Sequence, residues 1–183
     1  MDTSILDKAI IFATRAHQGQ ERKGKSLPYI VHPMEAVAIV ATITNDQEIL
    51  AAAALHDTVE DTPVNIDEIR REFGGRVASL VAYETNASKD SGTIWRDVKQ
   101  EAVNRLAAAP LDAQKAAIGD KLSNLRALYH DYREIGDELW SRFKAPGGKK
   151  DIAWYYRSLA QSFAPLKGLP PYEEFVELLG KTF

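Results

Sequence analysis

The sequence predicts one all-α domain, a single helical bundle of about eight to ten helices with little or no β-sheet. Two observations support this prediction: apolar residues recur at helical spacing in most segments, and no stretch alternates apolar and polar residues between turn signals. A length of 183 residues suffices for one well-packed core and is short for two. We therefore expect residues 1–183 to form one domain.

The first predicted helix begins after Asp2 or Thr3, since either side chain can cap it, and it carries an apolar face from Ile5 to Ala16. A polar loop rich in Gly, Lys and Arg follows at 17–29. The next apolar run, 32–43, begins with a His-Pro pair, and proline is tolerated in the first turn of a helix.

Two further helices are predicted behind capping boxes, Asn45-Asp46-Gln47-Glu48 and Asn65-Ile66-Asp67-Glu68. Gly74 and Gly75 close the helix that follows the second box. Later apolar runs predict helices near Val77–Thr85, Ile94–Ala108, Asp112–Tyr129, Asp151–Phe163 and Tyr172–Leu179. Polar, glycine-containing segments at 88–93 and 145–149 are predicted to be loops.

Composition excludes several classes of protein. A net charge of −3 argues against a general binder of nucleic acid or of membrane surfaces, both of which need a basic excess. With no cysteine, disulfides and thiolate metal sites are excluded. No apolar stretch approaches the roughly 20 residues of a membrane span, and the first residues lack a signal-peptide pattern, so we expect a cytoplasmic protein.

A dense group of ionisable residues, His56 to Asp61, follows directly on the apolar run Ile49–Leu55. Burying histidine and carboxylate side chains without partners is costly unless they are paired or bind a metal. This segment therefore indicates a site rather than ordinary core.

Candidate metal ligands share two properties: they are His or Asp, and they lie beside or inside apolar helical runs. Such nitrogen and oxygen ligands suit Mn, Fe, Co or Zn. The candidates are His32, His56, Asp57 and Asp120. The remaining histidines, His17 and His130, are interpreted as a loop residue and a solvated helix residue.

Glu60 and Asp61 lie on one side of a turn together with Asp57, provided that the helix continues. Carboxylates beside a metal that do not bind it are well placed to take a proton from an attacking water. The alternative is a solvated helix end whose acids face the solvent.

Three motifs follow one another along the chain: Arg22-Lys23 with Pro28-Tyr29-Ile30-Val31-His32-Pro33; Ala54-Leu55-His56-Asp57-Thr58-Val59-Glu60-Asp61-Thr62; and Gly119-Asp120-Lys121-Leu122-Ser123-Asn124-Leu125-Arg126. Together they resemble the hydrolase domain of the alarmone synthetase/hydrolases of the stringent response, the RelA/SpoT type. The likeness is greatest to the small alarmone hydrolases, which lack synthetase and regulatory domains. It extends from about residue 5 to about residue 130.

The resemblance implies an HD domain with its core motifs in 22–130 and with C-terminal helices in 131–183 that complete it. It implies one Mn²⁺, or another first-row metal, bound by the four candidate ligands, with Glu60 and Asp61 activating the water. The implied reaction is hydrolysis of the 3′-pyrophosphate of ppGpp or pppGpp, which yields GDP or GTP and pyrophosphate.

Substrate contacts are implied as well. Arg22 and Lys23 would line the nucleotide pocket, Asn124 would hydrogen-bond or position the nucleotide, and Lys121 would lie near the metal helix. Beyond Asp131 the likeness weakens, and the candidates there for holding the 5′-phosphates are Lys144, Lys149 and Tyr155.

Ser123 is a departure, because many members of the family carry an aromatic residue before the Asn. We expect this serine to loosen the nucleotide wall. The base preference is therefore open, and adenine alarmones such as pppApp are alternative substrates.

Two alternatives compete with an alarmone hydrolase. An HD phosphohydrolase acting on dNMPs or dNTPs would not need the Arg22-Lys23 and Pro28–Pro33 lead-in. A degenerate HD domain that only senses a nucleotide would usually have lost a ligand or an acid, whereas this chain retains all six. The expected partner is a small nucleotide, with no nucleic acid and no membrane, and association into a homo-oligomer is an open alternative.

Overall fold

The computed structural model of the chain describes residues 2–22, 24–85 and 94–183. Its α-helices are, in order, α1 (Ser4–Ala16), α2 (Val31–Val40), α3 (Gln47–Leu55), α4 (Thr58–Asp61), α5 (Ile66–Phe73), α6 (Gly75–Glu84), α7 (Trp95–Ala107), α8 (Leu111–Ile135), α9 (Lys149–Ser162) and α10 (Pro170–Thr182). Two 3₁₀ helices, Gly136–Arg142 and Ala164–Leu166, flank α9. The described residues contain no strand beyond one isolated bridge between Glu21 and Pro28, and the predicted all-α class is confirmed.

Several helix ends follow directly from the local sequence. The side chain of Asn65 accepts a hydrogen bond from the backbone N–H of Glu68 at 3.0 Å, as its capping box predicts. In the other box the cap is Asp46 rather than Asn45, because Asp46 Oδ1 accepts from the N–H of Glu48 at 3.0 Å. The predicted loop at 88–93 lies outside the described residues.

Helix α3 is buried along its whole apolar length, Ile49–Leu55. A helix that is apolar on every side is stable only when other elements surround it. Helices α1, α5 and α6 supply part of that cover, and their buried residues join α3 in one hydrophobic cluster. The polar residues at the end of α3 are thereby fixed against a rigid core.

Helix α8 is the longest element and extends to Ile135, beyond the end predicted at Tyr129. Its buried residues form a second hydrophobic cluster with residues of α7, α9 and α10, including Leu159, Phe163 and Phe175. Within the part of the chain that is described, no helix has both the length and the apolar composition needed to cross a membrane.

Helices α2 and α8 approach each other closely at Gly119. A Cβ atom at this position would lie 2.7 Å from the carbonyl oxygen of Ala36 and 2.7 Å from Cγ2 of Val40. Only glycine permits this approach without displacement of backbone. Because His32 lies on α2 and Asp120 follows Gly119 on α8, the close contact brings these two side chains together.

Candidate active site

The four candidate metal ligands converge at one point between α2, α3 and α8, which we call the ligand corner (His32, His56, Asp57 and Asp120). The Nε2 atoms of the two histidines lie 3.2 Å apart. Asp57 Oδ2 lies 2.9 Å from His56 Nε2 and 3.5 Å from His32 Nε2. Asp120 Oδ1 lies 3.1 Å and 3.6 Å from the same two nitrogens, on His32 and His56 respectively. Two nitrogens and two oxygens therefore surround one small volume.

Both imidazoles are oriented by hydrogen bonds at their other nitrogen. His56 Nδ1 donates to the backbone carbonyl of Ala53 at 2.8 Å. His32 Nδ1 lies 2.8 Å from Ser123 Oγ. Such contacts leave Nε2 as the atom that faces the ligand corner, which is the usual arrangement of metal-binding histidines.

The ligand corner has a strong demand for positive charge. Burial alone disfavours the charged imidazole, but the carboxylates of Asp57 and Asp120 raise the pKa of His56 to about 10. Burial tends to raise the pKa of Asp57, but the charges and hydrogen bonds of His56 and His32 hold it well below its usual range. Two anionic oxygens and two imidazole nitrogens in a buried corner form a donor set that fits a divalent first-row metal, which would replace the imidazole proton.

Tyr29 connects the ligand corner to the acid pair. Its hydroxyl lies 2.6 Å from Asp57 Oδ2 and 3.1 Å from Asp61 Oδ2. Burial and the charge of Asp57 raise the pKa of Tyr29, so the phenol keeps its proton and donates it. Tyr29 was part of a predicted motif but had no predicted role. The contacts of Tyr29 with both carboxylates depend on the fold of the 17–29 loop.

His17 is a loop residue, as predicted, but it is only 3% exposed. Its ring stacks on Tyr29 with centroids 4.7 Å apart. Its Nδ1 donates to Gln20 Oε1 at 2.8 Å, and Gln20 Nε2 donates to the carbonyl of Asp61 at 2.8 Å. His17 therefore supports the Tyr29 side of the site. His130 is exposed on α8, in agreement with the prediction.

Glu60 and Asp61 belong to α4, which is separated from α3 by a turn at His56-Asp57. The helix therefore does not continue unbroken from α3, which was the condition attached to the sequence argument. Glu60 lines the cavity described below, and Asp61 reaches the site through Tyr29. Both acids lie beside the ligand corner.

A cavity of about 820 Å³ opens beside the ligand corner. This volume lies within the range of roughly 300–1,000 Å³ that is usual for small-molecule sites. Besides Asp57 and Asp120, its lining includes Tyr29, Tyr83, Trp95, Phe143 and Tyr155 as well as the basic residues Arg22, Lys99, Arg105, Lys121 and Lys144. We call Lys99, Arg105 and Lys144, which come from α7 and from the segment after the first 3₁₀ helix, the cationic wall.

Most of the predicted substrate residues line this cavity: Arg22, Lys121, Asn124, Lys144 and Tyr155. Asn124 is held at both ends of its amide, since Oδ1 accepts from Arg22 Nη2 at 3.0 Å and Nδ2 donates to Asp120 Oδ1. Lys121 Nζ donates to the other oxygen of Asp120. Lys23, also predicted here, lies outside the described residues.

The structure does not place Lys149 at the cavity, although it was predicted to hold a phosphate there. Its ammonium donates to the hydroxyl of Tyr132 at 3.0 Å and lies over the rings of Tyr132 and Trp140. Because Lys149 is the first residue of α9, its side chain is packed against the 3₁₀ segment rather than turned to the site.

The expectation that Ser123 loosens the nucleotide wall is wrong. Ser123 is fully buried and contacts His32 and Glu35, on the side of α8 that faces α2. Successive residues of an α-helix are rotated by about 100°, so the residue before Asn124 faces away from the cavity that Asn124 lines.

Three charged residues of the cavity were not predicted from the sequence: Glu84, Lys99 and Arg105. The carboxyl of Glu84 is 5% exposed, and its Oε2 lies 3.8 Å from Lys121 Nζ. Burial raises the pKa of Glu84 to about 7. Burial and the neighbouring Lys121 charge lower the pKa of Lys99. None of the three stands in a local motif, so no sequence signal marked them.

Known proteins resemble this chain in sequence over much of its length. A family model described as an HD domain matches residues 9–143. The chain is 31% identical over 163 residues to a GTP pyrophosphokinase of Myxococcus xanthus, which covers 84% of this chain and 21% of that protein. It is 33% identical over 127 residues to a guanosine-3′,5′-bis(diphosphate) 3′-pyrophosphohydrolase of Aquifex aeolicus, with coverage of 68% and 18%. The chain thus spans about a fifth of the length of these relatives.

The fold is also similar to that of a solved structure. A metazoan ortholog of SpoT, described as hydrolysing ppGpp, matches with a TM-score of 0.77 at 21% identity, over 99% of this chain and 97% of the other. At this identity the likeness concerns the fold.

Proposed function

Since the chain belongs to the HD-domain family, we propose that it is a metal-dependent 3′-pyrophosphohydrolase of guanosine alarmones, converting ppGpp or pppGpp to GDP or GTP and pyrophosphate. The observation that supports this most is the convergence of four nitrogen and oxygen donors at one end of a cavity whose other lining residues include five cations. This arrangement suits a substrate that is polyanionic and that reacts beside a metal.

The metal that we propose is Mn²⁺, held by His32, His56, Asp57 and Asp120. When bound, such a cation offsets negative charge on a phosphoryl group and makes a nearby water more acidic. The protein's own residues orient the ligands of this cation: Ala53 and Ser123 fix the two imidazoles, and Tyr29 holds Asp57.

Glu60 and Asp61 are proposed to position the attacking water and to accept its proton. Water attacks the phosphorus atom bound to the ribose 3′-oxygen, and the bond between that phosphorus and the 3′-oxygen breaks. The 3′-oxygen stays with the nucleoside and takes a proton, while pyrophosphate leaves. Tyr29 keeps Asp61 near Asp57 because its hydroxyl lies within hydrogen-bond distance of both carboxylates.

The rest of the cavity is proposed to bind the nucleotide. Lys121 and Asn124 lie next to the ligand Asp120, where they can hold the ribose and the 3′-diphosphate. The cationic wall is suited to the 5′-phosphates, since Lys99 and Lys144 line the cavity and come from other elements than those that supply the ligand corner. Tyr155 and Arg22 complete this binding surface.

The test is a product assay on the purified chain with Mn²⁺, offering ppGpp and pppApp side by side with dNMPs and dNTPs. Release of pyrophosphate from ppGpp is expected, with loss of turnover in a His56→Ala variant that remains folded. If Mn²⁺ demonstrably binds and no 3′-pyrophosphorylated nucleotide is cleaved, the proposal fails. Turnover of pppApp alone would change the base, and turnover of dNMPs or dNTPs alone would favour another HD phosphohydrolase.

A further inference from the structure

His32 is held by a series of hydrogen bonds through residues that do not line the cavity. His32 Nδ1 lies 2.8 Å from Ser123 Oγ, and the hydroxyl of Ser123 donates to Glu35 Oε2 at 2.7 Å. A serine hydroxyl has a single proton. Because that proton is given to Glu35, Ser123 can only accept from His32, so Nδ1 carries the hydrogen and Nε2 presents its lone pair to the ligand corner.

The series of hydrogen bonds continues to the C-terminal helix. The second oxygen of Glu35 accepts from Arg126 Nη1 at 3.0 Å. Arg126 donates through Nε and Nη2 to the two oxygens of Glu174, at 2.6 and 2.7 Å. Planar two-pronged pairs of this kind fix geometry as well as charge. Glu174 lies on α10, so the contacts connect α2, α8 and α10.

The side chains in this series of hydrogen bonds differ in how deeply they are buried. His32 and Ser123 are 2% and 0% exposed, whereas the side chains of Glu35, Arg126 and Glu174 are 37%, 33% and 38% exposed. The inner part is therefore protected from water, and the outer part can be altered without opening the core.

His56 offers the opposite arrangement. Its Nδ1 donates to the carbonyl of Ala53, in the last turn of its own helix. That contact forms whenever α3 forms and needs no other helix. Only His32 depends on side chains from α8 and α10 for its orientation.

We propose that Ser123, Glu35 and Arg126 are positioning residues for the metal ligand His32, and that they couple metal binding at the ligand corner to the docking of α10 through Glu174. The proposal rests on the metal centre of the proposed function and is independent of its substrate. Each member acts through the next, so the effect should decline from Ser123 to Glu174.

The first test measures Mn²⁺ affinity without substrate, from the loss of the free-ion electron paramagnetic resonance signal on titration with protein. Ser123→Ala is expected to weaken binding by about 10- to 100-fold, the usual effect of removing such a partner. Ser162→Ala is the matched control, because Ser162 is also buried in a helix but its hydroxyl contacts the carbonyl of Val103. Its affinity should equal that of the wild type.

The second test uses the exposed end of the chain, where a variant does not disturb the core. Glu174→Ala should weaken Mn²⁺ binding by about threefold or more. Glu177→Ala, on the same helix but paired with Lys181, should leave it unchanged. Amide hydrogen exchange in α10 should slow on addition of Mn²⁺ in the wild type and respond less in Glu174→Ala.

These measurements separate the two proposals. A wild-type chain that does not bind Mn²⁺ would remove the metal centre and the proposed function with it. A wild-type chain that binds Mn²⁺, with Ser123→Ala and Glu174→Ala binding equally well, would overturn the coupling and leave the proposed function intact. Equal weakening in Ser162→Ala would also overturn it, because a general loss of packing would then explain the result.

Discussion

The ligand corner and the cationic wall both border one cavity, and they are built in different ways. Each member of the ligand corner contacts at least one other member within 3.6 Å, and the two histidines are almost completely buried. The cationic wall comes from α7 and from the segment after the first 3₁₀ helix, and Lys144 is exposed.

Because of this difference, we expect the two groups to respond differently to substitution. Charges that share one buried volume depend on one another, and removing one leaves the others unpaired. Cations spaced along a partly exposed wall act more independently, because solvent screens them from one another. Changes in the ligand corner should therefore abolish binding of the metal, whereas changes in the wall should tune affinity for the nucleotide.

The largest effect is expected from Asp57→Ala. Loss of this carboxylate removes one metal ligand and one of the two carboxylate acceptors of Tyr29, so kcat/KM for ppGpp should fall by at least about 10³-fold. Steady-state kinetics together with a metal-content measurement would check this. Asp67→Ala is the control, since that aspartate pairs with Arg70 at an exposed site. A variant that retains both metal and activity would show that the ligand corner tolerates loss of a member.

Gly119→Ala should have the next largest effect, on the framework of the ligand corner rather than on its charges. The new Cβ would lie 2.7 Å from Ala36 O, so α2 and α8 must separate, at a cost of about 1–3 kcal/mol in unfolding free energy. Urea unfolding would measure the loss, and Mn²⁺ affinity should fall with it. Gly180→Ala is matched, because a Cβ there meets nothing within 4 Å and should stabilise α10 slightly.

Glu84→Gln tests the pH dependence of stability that comes from Glu84, which lines the cavity beside Lys121. The pKa of Glu84 is raised to about 7 from 4.5, so the folded protein favours the neutral acid. Its contribution to stability is complete below pH 4.5 and is lost as pH rises through 7. In chelator, the stability advantage of the variant over the wild type should grow by about 2–3 kcal/mol between pH 5 and pH 8. Thermal unfolding at both values would measure it, and parallel curves would contradict the raised pKa.

The smallest effects are expected in the cationic wall. Lys99→Met and Lys144→Met should each raise KM for ppGpp by about tenfold, with little change in kcat, since each removes one charged contact worth about 1.5–3 kcal/mol. Lys149→Met is the control, because its ammonium contacts Tyr132 away from the cavity. A fall in kcat without a change in KM would place these lysines nearer the reacting atoms than their position indicates.

The ligand corner could be predicted from sequence because its members stand in local patterns. His56-Asp57 ends an apolar helix, His32 precedes Pro33, and Asp120 interrupts an apolar run. In each pattern a polar residue stands where burial would be unfavourable unless it had a partner. The helices α1, α3, α5 and α8 were predictable for a related reason, since their apolar faces, and for α3 and α5 also their caps, lie within each segment.

The remaining parts depend on how helices pack. Glu84 and Lys99 line the cavity because α6 packs against α8 and α7 packs against α9 and α6. No residue pattern near either of them in the sequence indicates this packing. Lys149 shows the converse, since a lysine close to Lys144 in sequence is turned to another face by the start of α9. Ser123 shows that one step along a helix, a rotation of about 100°, can move a side chain from the cavity to the face that packs against α2.

The spread of the ligand corner along the chain has a consequence for unfolding. Its members stand at positions 32, 56, 57 and 120, so a bound cation acts as a reversible cross-link that closes two long loops. Unfolding must then release the cation first, and the lifetime of the folded chain depends on metal concentration. A chelator should shorten survival in protease well before any change in the helical content of the native protein is seen.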